Sequence, residues 1–213
     1  MFAINYLLFN LEMAKNDVFS TINQLRQANY RDHYMIVYPD LTTLREIYSH
    51  YIKYQLEENN EIVLIIPYYE TTDTVRRVLS EKKRNDDANN NDNDLPYIDV
   101  QKYENKGSLV IIDSAKAYFK LEIGLESFIQ QLVKQAESLG KNGVSVITDS
   151  GSFYLFEVRE KLVDYELSLP SKYDHGIKLK RFCVNNQKDF EKIPQEQKEK
   201  LIEHHGKNIL IVN

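Results

Sequence analysis

The stretch "DHYMIVYPDLTTLREIYSHYIKYQL", residues 32–56, decides the fold class. A short apolar run, His33 to Tyr38, passes through Pro39 and Asp40 directly into a long amphipathic pattern. Many nucleotide-binding α/β domains begin with this order of strand, tight turn and helix, and their turn carries a glycine-rich phosphate cradle. This turn contains no glycine, which raises the question of whether the fold serves a purpose other than phosphate binding.

Strand-like and helix-like patterns alternate along the rest of the chain. Near-continuous apolar runs, typical of parallel strands covered on both faces, recur at 61–69, 108–113, 144–150, 176–186 and 208–212. Amphipathic helical patterns lie between these runs. The repeated β-α-β-α order predicts a three-layer α/β domain with a mainly parallel sheet and helices on both faces.

Two helices have a marked apolar face. The first is a short N-terminal helix, in which Phe19, Ile22 and Leu25 recur at helical spacing. The second starts near Leu125 and is stopped by Gly140. Its expected buried positions are Phe128, Leu132, Val133, Ala136 and Leu139.

The length of the chain, 213 residues, suits one α/β domain with a short appendage. We predict that residues 1–30 form an N-terminal helical extension and that residues 31–213 form the main domain. Residues 84–96, "RNDDANNNDNDLP", are rich in Asn and Asp, which predicts a disordered surface loop. They lack the central glycine and closing glutamate of an EF-hand, so we reject a calcium loop.

Composition excludes several classes of function. The net charge of −5 and the lack of a basic stripe argue against nucleic-acid binding. No apolar run approaches the roughly 20 residues needed to span a bilayer. The single cysteine, Cys183, excludes an intramolecular disulfide and a cysteine-based zinc site. We therefore expect a cytoplasmic protein that binds neither nucleic acid nor membrane.

In open α/β sheets, ligands gather at the carboxyl ends of the strands. This rule selects the candidate ligand-binding residues Tyr38, Asp40, Tyr68, Asp113, Asp149 and Ser150. A phosphate loop needs glycines for tight curvature and a lysine to meet the phosphate charge, and the first turn supplies neither. Asp40 is expected to cap the helix, where it puts a negative charge in the place of a phosphate.

Two of these aspartates have a second interpretation. Asp113 and Asp149 each follow an apolar strand, in the form that nucleotide hydrolases use to hold magnesium. Many α/β strands end in Asp simply because that side chain caps the next helix. Without the lysine and the glycines, we favour the structural role.

The chain contains 15 tyrosines and no tryptophan. Those at or just beyond predicted strand ends are Tyr38, Tyr68, Tyr69, Tyr118 and Tyr154. Their amphipathic rings could line a pocket for a small, partly apolar ligand, or they could pack helices onto the sheet. The sequence leaves both interpretations open.

The histidines and the cysteine are weak signals on their own. His33 opens the first strand, and His204 and His205 close the last helix, where they are expected to interact with the final carbonyls. Metal binding would need partners from elsewhere in the chain. Cys183, among apolar neighbours, is expected to be a buried, inert thiol. We assign no catalytic residue, no metal site and no cofactor.

The order of the motifs is more informative than any one of them. The segments are "HYMIVYPD", "EIVLIIPYYE", "LVIIDSAKAYF", "GVSVITDSGSF", "LVDYELSL" and "RFCVNNQKDFEKIPQEQKEKLIEHHGKNILI". Together they resemble the MEDS family, the methanogen/methylotroph sensory domain, over residues 30–213. The family is a degenerate relative of the RecA/KaiC-like ATPase core, so the resemblance implies a RecA-like fold without a working phosphate loop. It also implies a role in sensing small molecules.

The resemblance assigns several positions to family motifs. The residues implied are His33, Tyr38 and Asp40 in the first strand, Glu166 in the helix "YE" motif, Cys183 in the late strand, and His204 or His205 at the close. The chain departs from the family at Asn185-Asn186, where an aromatic residue is usual. It also departs at Asp149-Ser150, where a glutamate-containing turn is usual.

We therefore expect a non-enzymatic domain for small-molecule sensing or signal transduction. Its ligand is unidentified, and its output would run through a regulatory partner protein or a homodimer. The alternative is a residual nucleotide-binding, ATPase-like protein that uses magnesium at Asp113 or Asp149. A third reading, a scaffold without ligand, would be favoured by a strand-end cleft filled with the chain's own tyrosines.

Overall fold

The computed structural model describes residues 16–81, 95–155 and 159–213. The strands are β1 (His33–Tyr38), β2 (Ile62–Ile66), β3 (Leu109–Ile111), β4 (Val144–Asp149), β5 (Leu179–Asn186) and β6 (Ile209–Ile211). The helices of the first half are α1 (Val18–Arg26), α2 (Leu41–Glu57), α3 (Thr72–Ser80), α4 (Val100–Asn105) and α5 (Ser114–Phe119). Those of the second half are α6 (Leu125–Ser138), α7 (Ser152–Leu155), α8 (Arg159–Ser168), α9 (Gln187–Phe190) and α10 (Gln195–His205). A 3-10 turn, Gly206–Asn208, joins α10 to β6.

The strands form one sheet in the order β3-β2-β4-β5-β1-β6, and every pairing is parallel. The carboxyl ends of all six strands therefore meet at the same edge. In the pair β1–β5, His33 lies opposite Arg181 and Tyr38 lies opposite Asn186. Because side chains alternate along a strand, His33 and Tyr38 face opposite sides of the sheet, at opposite ends of β1.

Helices cover both faces of the sheet. On one face, α1 to α4 pack on a core that includes Ile36, Tyr38, Val63 and Phe182. On the other face, α5 and α6 cover β2 and β4, while α8 and α10 cover β1 and β6. The predicted fold class, a three-layer α/β domain with a parallel sheet, is confirmed.

The turn between β1 and α2 has the predicted capping geometry. The backbone N–H of Thr43 donates to the Asp40 carboxylate at 2.9 Å, which caps the helix. A carboxylate therefore occupies the positive end of the α2 dipole, which is the position that a phosphate would take.

Two buried positions were predicted wrongly. Phe19 keeps 73% of its surface exposed, although its helical neighbours Ile22 and Leu25 are buried. Leu139 is 51% exposed because it is the C-cap of α6, one residue past the last turn. The buried face of α6 runs through Ile129 instead, which the sequence reading left out.

Other differences concern elements. The short helix α4, capped by Asp99, was not predicted, although it buries Val100 and Tyr103. Between β4 and β5, the described residues form two helices, α7 and α8. Most of the predicted loop 84–96 and the first half of the predicted extension 1–30 lie outside the described residues.

The lengths and polarity of the described helices bear on membrane insertion. The longest of them, α2, has 17 residues and carries charged side chains along one side. Within residues 16–81, 95–155 and 159–213, no helix has the length and hydrophobicity needed to cross a membrane.

Candidate functional site

Two hydrogen bonds hold the buried carboxyl of Asp149 at the strand-end edge. Its Oδ2 accepts from the Tyr38 hydroxyl at 2.9 Å, and its Oδ1 accepts from the Gly151 N–H at 2.9 Å. Burial raises the pKa of Asp149 to about 7, although both hydrogen bonds act to lower it. The carboxyl of Asp149 is thus already used by the fold.

Tyrosine side chains fill the space at this edge of the sheet. The ring of Tyr68 lies so close over Gly151 that a Cβ added there would overlap the tyrosine Cδ1. The cavity left among Tyr48, Tyr68 and Asp149 is about 10 Å³. That volume holds about one water molecule. The strand-end cleft therefore has no room for a nucleotide in this conformation.

The remaining strand-end candidates also have structural partners. Asp113 caps α5 by accepting from the Lys116 N–H at 3.0 Å. The Ser150 hydroxyl donates to the Asn185 side-chain oxygen at 2.5 Å. With Asp40 capping α2, all three polar side chains stabilise the turns on which they lie.

The other candidates meet on the opposite face of the sheet, near the amino end of β1. His33 opens β1, Cys183 lies on β5, Glu166 lies in the last turn of α8, and His205 ends α10. The side chains of His33 and His205 are wholly enclosed, Glu166 is 1% exposed and Cys183 is 0% exposed. We call His33, Glu166 and His205 the His–Glu centre, with Cys183 beside it.

The side-chain nitrogen and oxygen atoms of the centre lie close to one another. The Oε2 of Glu166 lies 3.5 Å from the Nε2 of His33 and 3.7 Å from the Nε2 of His205. One donor atom from each of the three residues lies within 4.8 Å of the others. The Sγ of Cys183 is 3.2 Å from the Nε2 of His33.

The hydrogen bond at the far side of His205 fixes its tautomer. The Nδ1 of His205 is 2.9 Å from the Leu201 carbonyl oxygen, which can only accept. Burial and the neighbouring His33 lower the pKa of His205 to about 4, so the ring is neutral at pH 7. Its Nε2 therefore carries a lone pair and no proton, and it lies 3.7 Å from the Glu166 Oε2.

The centre is poorly satisfied for a buried polar group. Within the described residues, both Glu166 oxygens, the His205 Nε2 and the His33 Nδ1 have no hydrogen-bond partner. The contact of 3.5 Å between Glu166 and His33 is an ion pair at the outer limit of hydrogen-bond length. Buried polar atoms without partners are uncommon and call for an explanation.

Charge in the centre is balanced by His33. Burial disfavours the imidazolium, but Cys183 and Glu166 outweigh burial and raise the pKa of His33 to about 10. Burial likewise acts against the Glu166 carboxylate, but His33 and His205 outweigh it and lower the pKa of Glu166. Without a ligand, the centre is therefore a buried pair of opposite charges with an unprotonated imidazole beside it.

Arg181 is a second buried charged group near the centre. The guanidinium of Arg181 is fully buried and donates to both oxygens of Glu126, at 2.8 and 2.9 Å. It also donates to the Tyr165 hydroxyl at 2.5 Å. Since Glu126 neutralises Arg181, Arg181 does not replace His33 as the counter-charge of Glu166.

A polar cleft of about 380 Å³ adjoins the centre. His204 and His205 line it, together with Asp32, Lys172 and Asn208. Asn208 also donates to the backbone carbonyl of His33 at 3.2 Å, so the cleft wall is tied to the start of β1. The centre therefore lies next to a cleft of appreciable volume, whereas the cavity beside Asp149 holds about one water molecule.

The sequence-derived candidates thus fall into two separate groups. The structure brings His33, Glu166 and Cys183 together and adds His205 rather than His204, whose ring is farther from His33. It keeps this group apart from the strand-end group of Tyr38, Asp40, Tyr68, Asp113, Asp149 and Ser150. Sequence reasoning missed Arg181 and Glu126. The signal was a charged pair, Lys180-Arg181, inside an otherwise apolar strand.

Comparisons with known proteins add little to this picture. No protein-family model matches the sequence, and no curated protein matches it. A KaiC-like protein from the hyperthermophilic archaeon Pyrococcus horikoshii OT3 has a similar solved structure, with a TM-score of 0.45 and 14% sequence identity. The match covers 74% of this chain and 62% of that one. Because this likeness is so distant, the fold assignment rests on the parallel sheet itself, and membership of the MEDS family stays a prediction.

Proposed function

We propose that this chain is a non-enzymatic sensing domain that takes up a small polar ligand at the His–Glu centre. One observation carries the proposal: the carboxylate oxygens of Glu166 and the Nε2 of His205 are buried and have no hydrogen-bond partner in the described residues. An unpaired buried polar atom costs about 1–3 kcal/mol, and a charged group costs more. A ligand that satisfied these atoms would recover this free energy.

The position of the centre suggests how binding would be transmitted. Glu166 and His205 belong to α8 and α10, which pack on Met35 of β1 and Ile209 of β6 through an apolar core. A ligand that bridges Glu166 to His205 would fix one helix relative to the other. A regulatory partner or a second copy of the chain would then read the altered surface of these helices.

No observation on the described residues favours the rival hypothesis of magnesium-nucleotide binding. The strand-end cleft is filled by tyrosines, and Asp113 and Asp149 accept hydrogen bonds from backbone N–H groups. This filled cleft also fits the scaffold hypothesis. The sensing proposal differs from the scaffold hypothesis because it depends on the His–Glu centre. A scaffold without ligand does not explain the unpaired polar atoms of that centre.

A thermal-shift screen separates these hypotheses. The wild-type protein, Glu166→Gln and Asp149→Ala would be screened against small carboxylates, amines, alcohols and azoles, and against ATP and GTP with magnesium. We expect hits among the small molecules that Glu166→Gln abolishes and Asp149→Ala retains. A nucleotide shift of several degrees that Asp149→Ala abolishes would contradict the proposal.

The signalling step has its own measurement. Sedimentation velocity with and without a hit compound reports self-association, and affinity capture reports a partner. A strictly monomeric profile in both conditions, with no captured partner, would count against a signalling role.

A further inference from the structure

We infer that the His–Glu centre binds a divalent transition-metal ion, with His33, Glu166 and His205 as its protein ligands. The binding of the ion is argued from these three residues alone. Only the last step rests on the proposed function, because there a small ligand would occupy the open coordination position of the ion.

The donor set matches this class of ion. Two imidazoles and one carboxylate form the ligand set of zinc sites that keep an open position. The same combination holds ferrous iron in sites with open positions for exogenous ligands. Magnesium and calcium prefer oxygen ligands, so two histidines argue against them.

The distances suit an ion placed between the donors. Two ligands about 2.1 Å from a tetrahedral ion lie roughly 3.4 Å from each other. The observed separations from the Glu166 Oε2, 3.5 Å to His33 and 3.7 Å to His205, are close to that value. Small movements of the side chains would therefore complete the geometry.

The surroundings prepare His205 as a ligand. Its Nδ1–H donates to the Leu201 carbonyl, which fixes the ring and leaves Nε2 free. Metal-ligating histidines have this arrangement, with the second ring nitrogen held by a backbone carbonyl or a carboxylate. This Nε2 is buried and has no hydrogen-bond partner within the described residues.

The local field also favours a cation. Glu166 and His205 lie in the last turns of α8 and α10, and the exposed carbonyls of helix C-termini carry partial negative charge. The nearby guanidinium of Arg181 opposes a cation, but Glu126 neutralises it with two hydrogen bonds. The competing explanation, a His33–Glu166 ion pair alone, leaves Nε2 of His205 and one Glu166 oxygen without partners.

The fourth position is left for an exogenous ligand. Cys183 lies beside His33, but the group of donor atoms within 4.8 Å of one another consists of His33, Glu166 and His205. We therefore assign Cys183 to the wall of the open position rather than to the protein ligands. Water, or a small molecule entering by the cleft of about 380 Å³, would complete the coordination.

Equilibrium dialysis of the full chain tests the inference. Protein stripped with a chelator would be dialysed against zinc or cobalt(II), and the bound metal measured by elemental analysis. We expect one ion per chain and, at a 100-fold excess over Kd, a rise in Tm of about 5–10 °C. Glu166→Gln and His205→Gln should weaken binding at least about tenfold.

One variant serves as the control. His175→Gln removes an exposed histidine that lies outside the centre. This variant should retain the ion with wild-type affinity. The inference is overturned by an absence of binding, by binding that survives both ligand substitutions, or by binding that His175→Gln abolishes.

A second measurement protects the test against unfolded variants. X-ray absorption at the zinc edge, on the wild-type complex alone, should show scattering from two imidazole rings and no sulfur ligand. A sulfur shell, or the absence of imidazole scattering, would contradict the assignment.

The metal site and the sensing proposal can fail separately. If the ion binds but the small-molecule screen finds nothing, the metal site stands and the sensing proposal fails. If small molecules bind to metal-free protein and no ion binds, the sensing proposal stands and the metal site fails.

Discussion

Two glutamates are buried on opposite faces of the same sheet, and their surroundings differ. Glu61 is fully enclosed, and its oxygens accept from the Tyr30 hydroxyl at 2.7 Å and the Ser145 hydroxyl at 2.5 Å. It is also paired with the buried ammonium of Lys180 at 2.7 Å. Glu166 is equally buried, but no hydrogen bond reaches either oxygen within the described residues.

The two glutamates differ in how their buried polar atoms are satisfied. Two hydroxyls and the Lys180 ammonium satisfy Glu61, and the network continues to Tyr51 and Gln55 of α2, so it is accounted for as part of the fold. The charge of Glu166 is balanced by His33, but its oxygens and the Nε2 of His205 have no hydrogen-bond partner within the described residues. This difference is why the proposed ligand is placed at Glu166 and not at Glu61.

The largest expected effect contrasts the two glutamates directly. Glu61→Gln leaves the Lys180 ammonium buried without its counter-charge, which should lower the free energy of unfolding by about 3–5 kcal/mol. Glu166→Gln, in metal-free protein, should lower it less, by about 1–3 kcal/mol, because His33 can lose its proton near pH 8 once its counter-charge is gone. Urea denaturation near pH 8 measures both, and equal losses would contradict the distinction.

The next effect concerns Asp149 and pH. Its pKa is about 7 in the folded chain and 3.8 when unperturbed, so the folded state binds the extra proton between these values. Stability from this group is therefore present below about pH 4 and is lost as pH rises to about 7, by roughly 4 kcal/mol. Asp149→Asn should remove this slope, since the amide stays neutral. Denaturation at several pH values would show it, and an unchanged slope would refute the role given to this carboxyl.

The smallest effect tests whether tyrosine closes the strand-end cleft. Gly151→Ala should destabilise the wild type by about 1–2 kcal/mol, because the new methyl group meets the Tyr68 ring. In a Tyr68→Ala background the same change should cost close to nothing, which a double-mutant cycle measures. Additive costs would mean that the ring does not fill this space.

The fold was largely predictable because its signals are local. Apolar runs such as 61–69 and 144–150 mark buried parallel strands, and the acidic turn at Asp40 marks a helix cap. Burial of individual side chains was less predictable. Phe19 has the spacing of a core residue, but its helix packs through Ile22 and Leu25, and only the neighbouring helix decides which face is covered.

The candidate site was predictable as a set of residues and not as an arrangement. Resemblance to a family supplied His33, Glu166 and Cys183 together with strand-end residues such as Tyr38, and nothing in the sequence separates the two groups. Glu61 and Lys180 are far apart in the chain, so their pairing depends on the strand order. The choice between pocket and packing for the tyrosines depends on side-chain contacts that periodicity does not report.

The most direct test of the central claim is the position of a bound ion. Anomalous diffraction at the zinc absorption edge, from crystals soaked in zinc, locates the metal without assuming its ligands. The account predicts one strong peak between His33, Glu166 and His205, next to the polar cleft. A peak at Asp113 or Asp149, or an empty His–Glu centre at saturating zinc, would contradict it.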